Sequence, residues 1–296
     1  MRKLIVGTRG SKLALAQTEL LCQALSNIMP EIELETKIIK TRGDRFLELS
    51  LSNQPDKGLF TREIEAQLLD GAIDMAVHSL KDLPVACVPG TMIGAYLERA
   101  KTEDVLIGKQ TLEELPEGAV IGTSSKRRAF QLSEKYPHFI IKEIRGNVET
   151  RIAKMEAGEY DAILMARAGM ERLGLTGKIK QIIPVSLIVP APGQAAIAIH
   201  IRNNDSELQM LLEKIDHKTT RYEVEFEREL LQSLGGGCAM PLGCVCRHTG
   251  EKNEVEVYYA SEDASRSVYR KVKFDNSERE AAMKKLVMEL KTVEAK

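Results

Sequence analysis

Short runs of aliphatic and β-branched residues alternate with segments of helical period, and that alternation restricts this chain to few architectures. Leu4-Ile5-Val6 reads as a strand ending in Gly7-Thr8-Arg9-Gly10-Ser11. Leu13, Ala16, Leu20, Ala24 and Ile28 then recur at three- and four-residue steps, which predicts an amphipathic helix. A second strand is predicted over 32–40, a helix over 59–69 closed by Gly71, and a strand over 74–78. The pattern restarts near Val105, with strands at 120–121, 139–144 and 162–165 and helices at 125–136 and 148–157. Such βαβ grammar predicts mostly parallel sheets with helices on both faces. Two similar units in tandem predict two α/β domains facing across a cleft, with ligands beyond the carboxyl ends of the strands. A strand over 195–201 follows the Pro- and Gly-rich Val189-Pro190-Ala191-Pro192-Gly193 and is expected to cross back to the first domain. After residue 216 a long helix over 221–234, strands at 242–246, 254–259 and 268–274, and a last helix from Glu278 predict a small α+β domain. The expected domains are 1–95 with 196–215, then 96–195, then 216–296.

Composition narrows the function. A formal net charge of −1 supplies no global basic field for nucleic acid, so any anion site must be a local cluster of Arg and Lys. Trp is absent and aromatics total 4%, which argues against recognition of bases by stacking. No apolar run approaches a membrane span, and the N-terminus lacks the apolar core of a signal peptide. Five cysteines do not resemble a disulfide framework, so a reducing cytoplasm is expected.

Three constellations could carry chemistry. Gly122-Thr123-Ser124-Ser125-Lys126-Arg127-Arg128 follows a strand and opens a helix. Free N–H groups and hydroxyls there bind anions, and three basic residues sit where the helix dipole prefers acids. A plain N-cap with a solvated basic turn is the alternative. Arg145-Gly146-Asn147 with Arg151, and Arg9 with Ser11, repeat this arrangement at two further strand-to-helix turns. Next, His78-Ser79-Leu80-Lys81-Asp82 ends a predicted strand. A carboxylate beside cations stays ionised and suits stabilising a cation or moving a proton, though a turn Asp with a neighbouring Lys reads the same way. Finally, Gly235-Gly236-Gly237 presents Cys238, which could be a nucleophile or an attachment point. Cys244 and Cys246 face one way on a strand and no CxxC pair exists, so no metal site is expected. The five histidines are scattered, and none is assigned a role.

Taken together, Thr8–Gln17, Thr41-Arg42-Gly43-Asp44, Lys57-Gly58-Leu59-Phe60, Ala76–Pro84, Gly122–Ser125 with Arg127-Arg128, Arg145-Gly146-Asn147 with Thr150-Arg151, Pro192-Gly193-Gln194 and Gly236-Gly237-Cys238 resemble the hydroxymethylbilane synthase (porphobilinogen deaminase) family in order and spacing. The resemblance covers essentially the whole chain. It implies two periplasmic-binding-protein-like domains plus the small third one, in a monomeric transferase of porphyrin and haem biosynthesis. Four porphobilinogen molecules would be joined head to tail with loss of ammonia, and water would release the linear tetrapyrrole. The implied cofactor is a dipyrromethane held by a thioether to Cys238. The implied catalytic residue is Asp82, which would stabilise the azafulvenium cation left by ammonia. Cofactor contacts would come from Lys81, Ser79, Asp44, Thr123, Ser124, Ser125, Arg127, Arg128, Arg145 and Gly146. Substrate contacts would come from Arg9, Ser11, Gln17, Phe60, Arg145, Asn147, Arg151, Arg172 and Gln194. The chain departs from the family pattern at Gly235, where an acidic residue is common, at Ala239 in place of Gln, and at Arg167 in place of a small or apolar residue.

Overall fold

Leu4–Thr8 (β1) is buried along almost its whole length, as a strand flanked on both sides must be. It pairs in parallel with Leu34–Ile38 (β2) and with Met75–Ser79 (β3). The computed structural model describes residues 3–41, 43, 61–237 and 240–293. Lys12–Ile28 (α1) starts where Ser11 accepts from Ala14 N, and it buries Gln17, Thr18, Leu21 and Leu25 along one stripe. Arg62–Leu69 (α2) buries Ile64 and Leu68 beneath the opposite face of the sheet, against Ile39, Ile73 and Ala76.

The return strand Ile197–Arg202 (β10) does cross back, inserting between β3 and Thr91–Tyr96 (β4) and running antiparallel to both. The first sheet therefore has the order β2-β1-β3-β10-β4. The second repeats that plan. Val120–Gly122 (β6) is parallel to Ile140–Lys142 (β7) and to Ala162–Ala166 (β8). Asp104–Gly108 (β5) is antiparallel to β8 and to Gln181–Ile183 (β9), giving β7-β6-β8-β5-β9. Half of the pairings in each sheet are antiparallel because one reversed strand, β10 or β5, is inserted among four that share a direction, so the expectation of a mostly parallel sheet holds for strand direction and fails for pairing. The reversed strand is in each case the one that brings the chain in from the other unit, not through a helical crossover within its own sheet.

The helices of the second sheet are Lys126–Lys135 (α3), Val148–Glu156 (α4) and the short Arg167–Arg172 (α5). Ser206–Glu213 (α6) packs Leu208 and Leu212 into the core of the first sheet. The chain forms two compact units, Met1–Ala100 with Ala195–Arg221, and Lys101–Gln194 with Tyr222–Lys296. No helix among the described residues is long and apolar enough to cross a membrane.

The small C-terminal sheet is an antiparallel meander of Leu242–Thr249 (β11), Lys252–Ala260 (β12) and Ser267–Asp275 (β13). Lys218–Ser233 (α7) and Arg279–Lys291 (α8) cover one face, with Phe226, Leu230, Leu286 and Leu290 packed on Cys244, Cys246, Val255 and Val257. Cys244 and Cys246 thus do share a face, as alternation requires. The other face sets Val245, Tyr258 and Ala260 against Val189 and Phe130. Cys244 N donates to Pro190 O at 2.8 Å, and Tyr258 Oη donates to Glu134.

At Gly243 the backbone of β11 comes so close to Val189 that an added Cβ would sit 2.6 Å from its carbonyl oxygen. Backbone cannot rotate away as a side chain can. Gly243→Ala is expected to destabilise the second unit by about 1–3 kcal/mol through overpacking. Chemical unfolding followed by far-UV circular dichroism reads this as a lowered midpoint, and an unchanged midpoint would contradict the packing described.

Candidate functional site

Register builds the site of the first unit. Gly7 is paired with Ala76, so continuing the parallel register sets Arg9 level with His78. The chain leaves β1 into the turn before α1 and leaves β3 into a single 3-10 turn, Leu80–Asp82. Arg9, Ser11, Gln17, His78, Ser79 and Asp82 consequently line one recess, with Thr61 of the α2 cap. Gln17, almost wholly buried, donates through Nε2 to Ser79 Oγ at 2.8 Å, and the Ser79 hydroxyl lies 3.1 Å from Gln17 Oε1. Asp82 is exposed and Lys81 is half-buried. A cation and a carboxylate in one recess can pair with a ligand carboxylate and with a ligand N–H or developing cation respectively.

His78 was assigned no role from the sequence, yet it borders this recess. It is buried, and Nε2 has no hydrogen-bond partner among the described residues. Burial first, then the charges of His200 and Arg9, push its pKa down to about 3, so the imidazole is neutral at physiological pH.

In the second unit the two arginines of the basic turn are not solvated, although Lys126 is exposed. Arg127 and Arg128 lie in the first turn of α3 and are buried, each paired with the fully buried Asp104. Arg127 Nη1 is 2.8 Å from Asp104 Oδ2, and Arg128 Nη2 is 2.7 Å from Oδ1. Arg127 also donates to Val189 O and Arg128 to Leu164 O. Gln194 donates to Asp104 Oδ1 at 2.9 Å and to Thr102 O. Burial alone would raise the Asp104 pKa, but the two guanidinium charges and their hydrogen bonds outweigh it and hold the carboxyl well below the usual range. The local sequence carries no sign of this partner, because Asp104 enters at the start of β5, on a different strand.

Other predicted residues have identifiable local work. Ser124 Oγ donates to Ile144 O at 2.6 Å, and Thr123 Oγ1 accepts from Ser125 N, so both hydroxyls brace the turn before α3. Asn147 caps α4 through Thr150 N at 2.8 Å. Gly146 has φ +122°, which suits glycine, and Arg151 Nε donates to its carbonyl. Arg145 is exposed and pairs with Glu143. Arg172 ends α5, where burial lowers its pKa to about 10. Arg167, the departure noted above, is held by Glu171 and Glu103. Gly235 has φ +71°, and with Gly236 N donating to Leu231 O it terminates α7 as a left-handed cap, which accounts for glycine there. Asp44, Phe60 and Cys238 lie outside the described residues.

Donors in both places suit a carboxylate ligand. Arg128 Nε is buried without a hydrogen-bond partner among the described residues, and Arg9 shares its recess with the unsatisfied His78. Among the described residues no cluster of His, Cys, Asp and Glu is placed to hold a metal ion.

The family description "Porphobilinogen deaminase, dipyromethane cofactor binding domain" matches residues 4–210, and "Porphobilinogen deaminase, C-terminal domain" matches 221–292. Porphobilinogen deaminase of Clostridioides difficile is 41% identical over 98% of this chain and 98% of its own. That of Brevibacillus brevis is 46% identical over 86% and 83%, and that of a Nostoc species 40% over 95% and 88%. Among solved structures, a periplasmic substrate-binding protein of an ABC transporter from Coxiella burnetii covers 74% of this chain and 94% of its own, at 15% identity and a TM-score of 0.45.

Asp104→Asn keeps the shape of the side chain but leaves two buried guanidinium groups without a counter-charge. A loss of roughly 3–5 kcal/mol is expected at neutral pH. The folded pKa of Asp104 is depressed, so its contribution is present above the unfolded value, about 3.9, and is lost as pH falls below it. Urea unfolding at neutral and acid pH should therefore show the parent approaching the variant as pH drops. Equal midpoints at neutral pH would contradict the triad.

Proposed function

The chain belongs to the porphobilinogen deaminase family, and from that premise we propose that its reaction is carried by Asp82 in the recess at the ends of β1 and β3. The enzyme is a transferase, a hydroxymethylbilane synthase of tetrapyrrole biosynthesis. The observation that supports Asp82 is its company: an exposed carboxylate in one recess with Arg9, Ser11 and Ser79.

Each condensation breaks the C–N bond of the substrate's aminomethyl arm, so that ammonia leaves. A C–C bond forms to the free α-carbon of the terminal ring, and that carbon gives up its proton. Asp82 acts twice in this sequence. Its negative charge stabilises the electron-poor pyrrole left by ammonia, and it accepts hydrogen bonds from pyrrole N–H groups while the proton departs. Arg9, with the hydroxyls of Ser11 and Ser79, pairs with substrate carboxylates. Arg145, Arg151 and Arg172 serve later carboxylates in the second unit, and Phe60 packs over a pyrrole face.

The dipyrromethane, when bound, supplies the pyrrole to which new rings are joined. Cys238 is the residue proposed to hold it by a thioether, because it follows the run of glycines that ends α7. Arg127 and Arg128 contribute to its carboxylates through donors that Asp104 does not use. Because both also balance Asp104, removing either lowers stability as well as cofactor loading.

Purified protein given porphobilinogen should release four ammonia molecules per linear tetrapyrrole. Intact mass should show an adduct of two pyrrole units, absent in Cys238→Ala. A Cys238→Ala protein that turns over normally, or an adduct mapped to Cys244 or Cys246, would overturn the attachment site. Asp82→Asn should load the cofactor in part but release ammonia about two to three powers of ten more slowly in a single turnover. Parental speed in that variant would remove Asp82 from the chemistry.

A further inference from the structure

His78 lies on β3 opposite Ala198 of β10, deep in the first sheet. It shares the face of Ala76, which packs beneath Ile64 and Leu68 of α2. A histidine in such a place normally finds partners for its ring nitrogens. Its neighbour His200 has one: Nε2 is 2.7 Å from Thr91 Oγ1. The two rings are 5.7 Å apart, tilted by 59°, so they touch by their faces and edges rather than through a hydrogen bond. His78 Nε2 is buried and unsatisfied among the described residues, and its ring borders the recess of Arg9, Ser79 and Asp82. At the wall of a recess, an unsatisfied buried nitrogen is a group to which a ligand can supply the partner.

We propose that His78 is a positioning residue for porphobilinogen, its imidazole donating through Nε2 to the substrate carboxylate that pairs with Arg9. The proposal rests on the porphobilinogen deaminase reading above. Arg9 and His78 line the same recess, so a carboxylate bound to Arg9 meets the same wall as the ring. Burial, His200 and Arg9 together keep the ring neutral. A neutral ring adds a directed hydrogen bond without a second positive charge beside Asp82. It is also unsuited to carrying protons at neutral pH, which leaves that work to Asp82.

The test uses the full-length enzyme with its cofactor, comparing the parent with His78→Phe and His78→Gln. Phe keeps a ring of similar size and removes both nitrogens, while Gln can place an amide N–H near the position of Nε2. Hydrogen bonds to charged groups imply that Phe raises KM for porphobilinogen by roughly tenfold to a hundredfold, with kcat little changed. Gln should recover part of that loss. The same ratio should appear in the Kd, measured by calorimetry, of a non-reactive analogue that lacks the aminomethyl nitrogen. Two further analogues, one with the acetate arm replaced by methyl and one with the propionate arm replaced by ethyl, identify the arm. For one of them parent and Phe variant should bind equally. Thermal unfolding confirms that each variant is folded, and Gln carries the test if Phe is not.

Parental KM and Kd in a folded Phe variant would overturn the proposal. So would a loss confined to kcat with an altered pH profile, or the same penalty with every analogue. Failure of the parent to make tetrapyrrole would instead refute the function reading, while calorimetry would still report on His78.

Discussion

A carboxylate with no exposure to solvent is tolerable only if charge and hydrogen bonds replace the water it has lost, and Asp104 satisfies that condition with two arginines and a glutamine. What the arrangement organises is as telling as its strength. Asp104 begins β5, Arg127 and Arg128 begin α3, Arg128 reaches the carbonyl of Leu164 in β8, and Arg127 reaches Val189. Apolar residues of equal volume could hold these elements as firmly. The hydrogen bonds add a direction that dispersion lacks, since each oxygen of Asp104 takes a different guanidinium. The segment 189–194 is tied to the same centre through Gln194, and Glu227 of α7 accepts from Gly193 N and Cys246 N. Within the second unit the three-stranded sheet is thereby tied to the segment 189–194 through buried polar contacts as well as through Val189.

Asp104 also removes an apparent conflict. Basic residues in a first helical turn oppose the helix dipole. A buried anion beside that turn reverses the balance, so Arg127 and Arg128 are structural cations at this turn.

The two five-stranded sheets reach a common order by a common rule. In each, two parallel pairings formed by helical crossovers align three strand ends, and the turns beyond those ends carry the polar residues. In the first unit this brings Arg9 to His78 and Asp82 from positions about seventy residues apart. A shift of one residue in that register would turn the side chains to the opposite face, so the recess depends on the same apolar alternation that forms the core.

Much of the architecture could be read from the sequence because its causes are local. The alternation of strand and helix, the cap at Ser11, the basic turns, the glycines after the long helix and the change of grammar past residue 216 depend on residues within a few positions of one another. The one reversed strand of each sheet did not follow from such signals, since the direction of β5 and β10 depends on where the chain arrives from the other unit. Nor did the sequence predict the pairing of Asp104 with residues 23 and 24 positions away, or the burial of His78 beside Arg9. Local periodicity says that a side chain faces inward. Only the tertiary structure decides what it meets there, because that partner comes from another element, and its distance and charge determine whether a group is paired, neutral or left to receive a ligand.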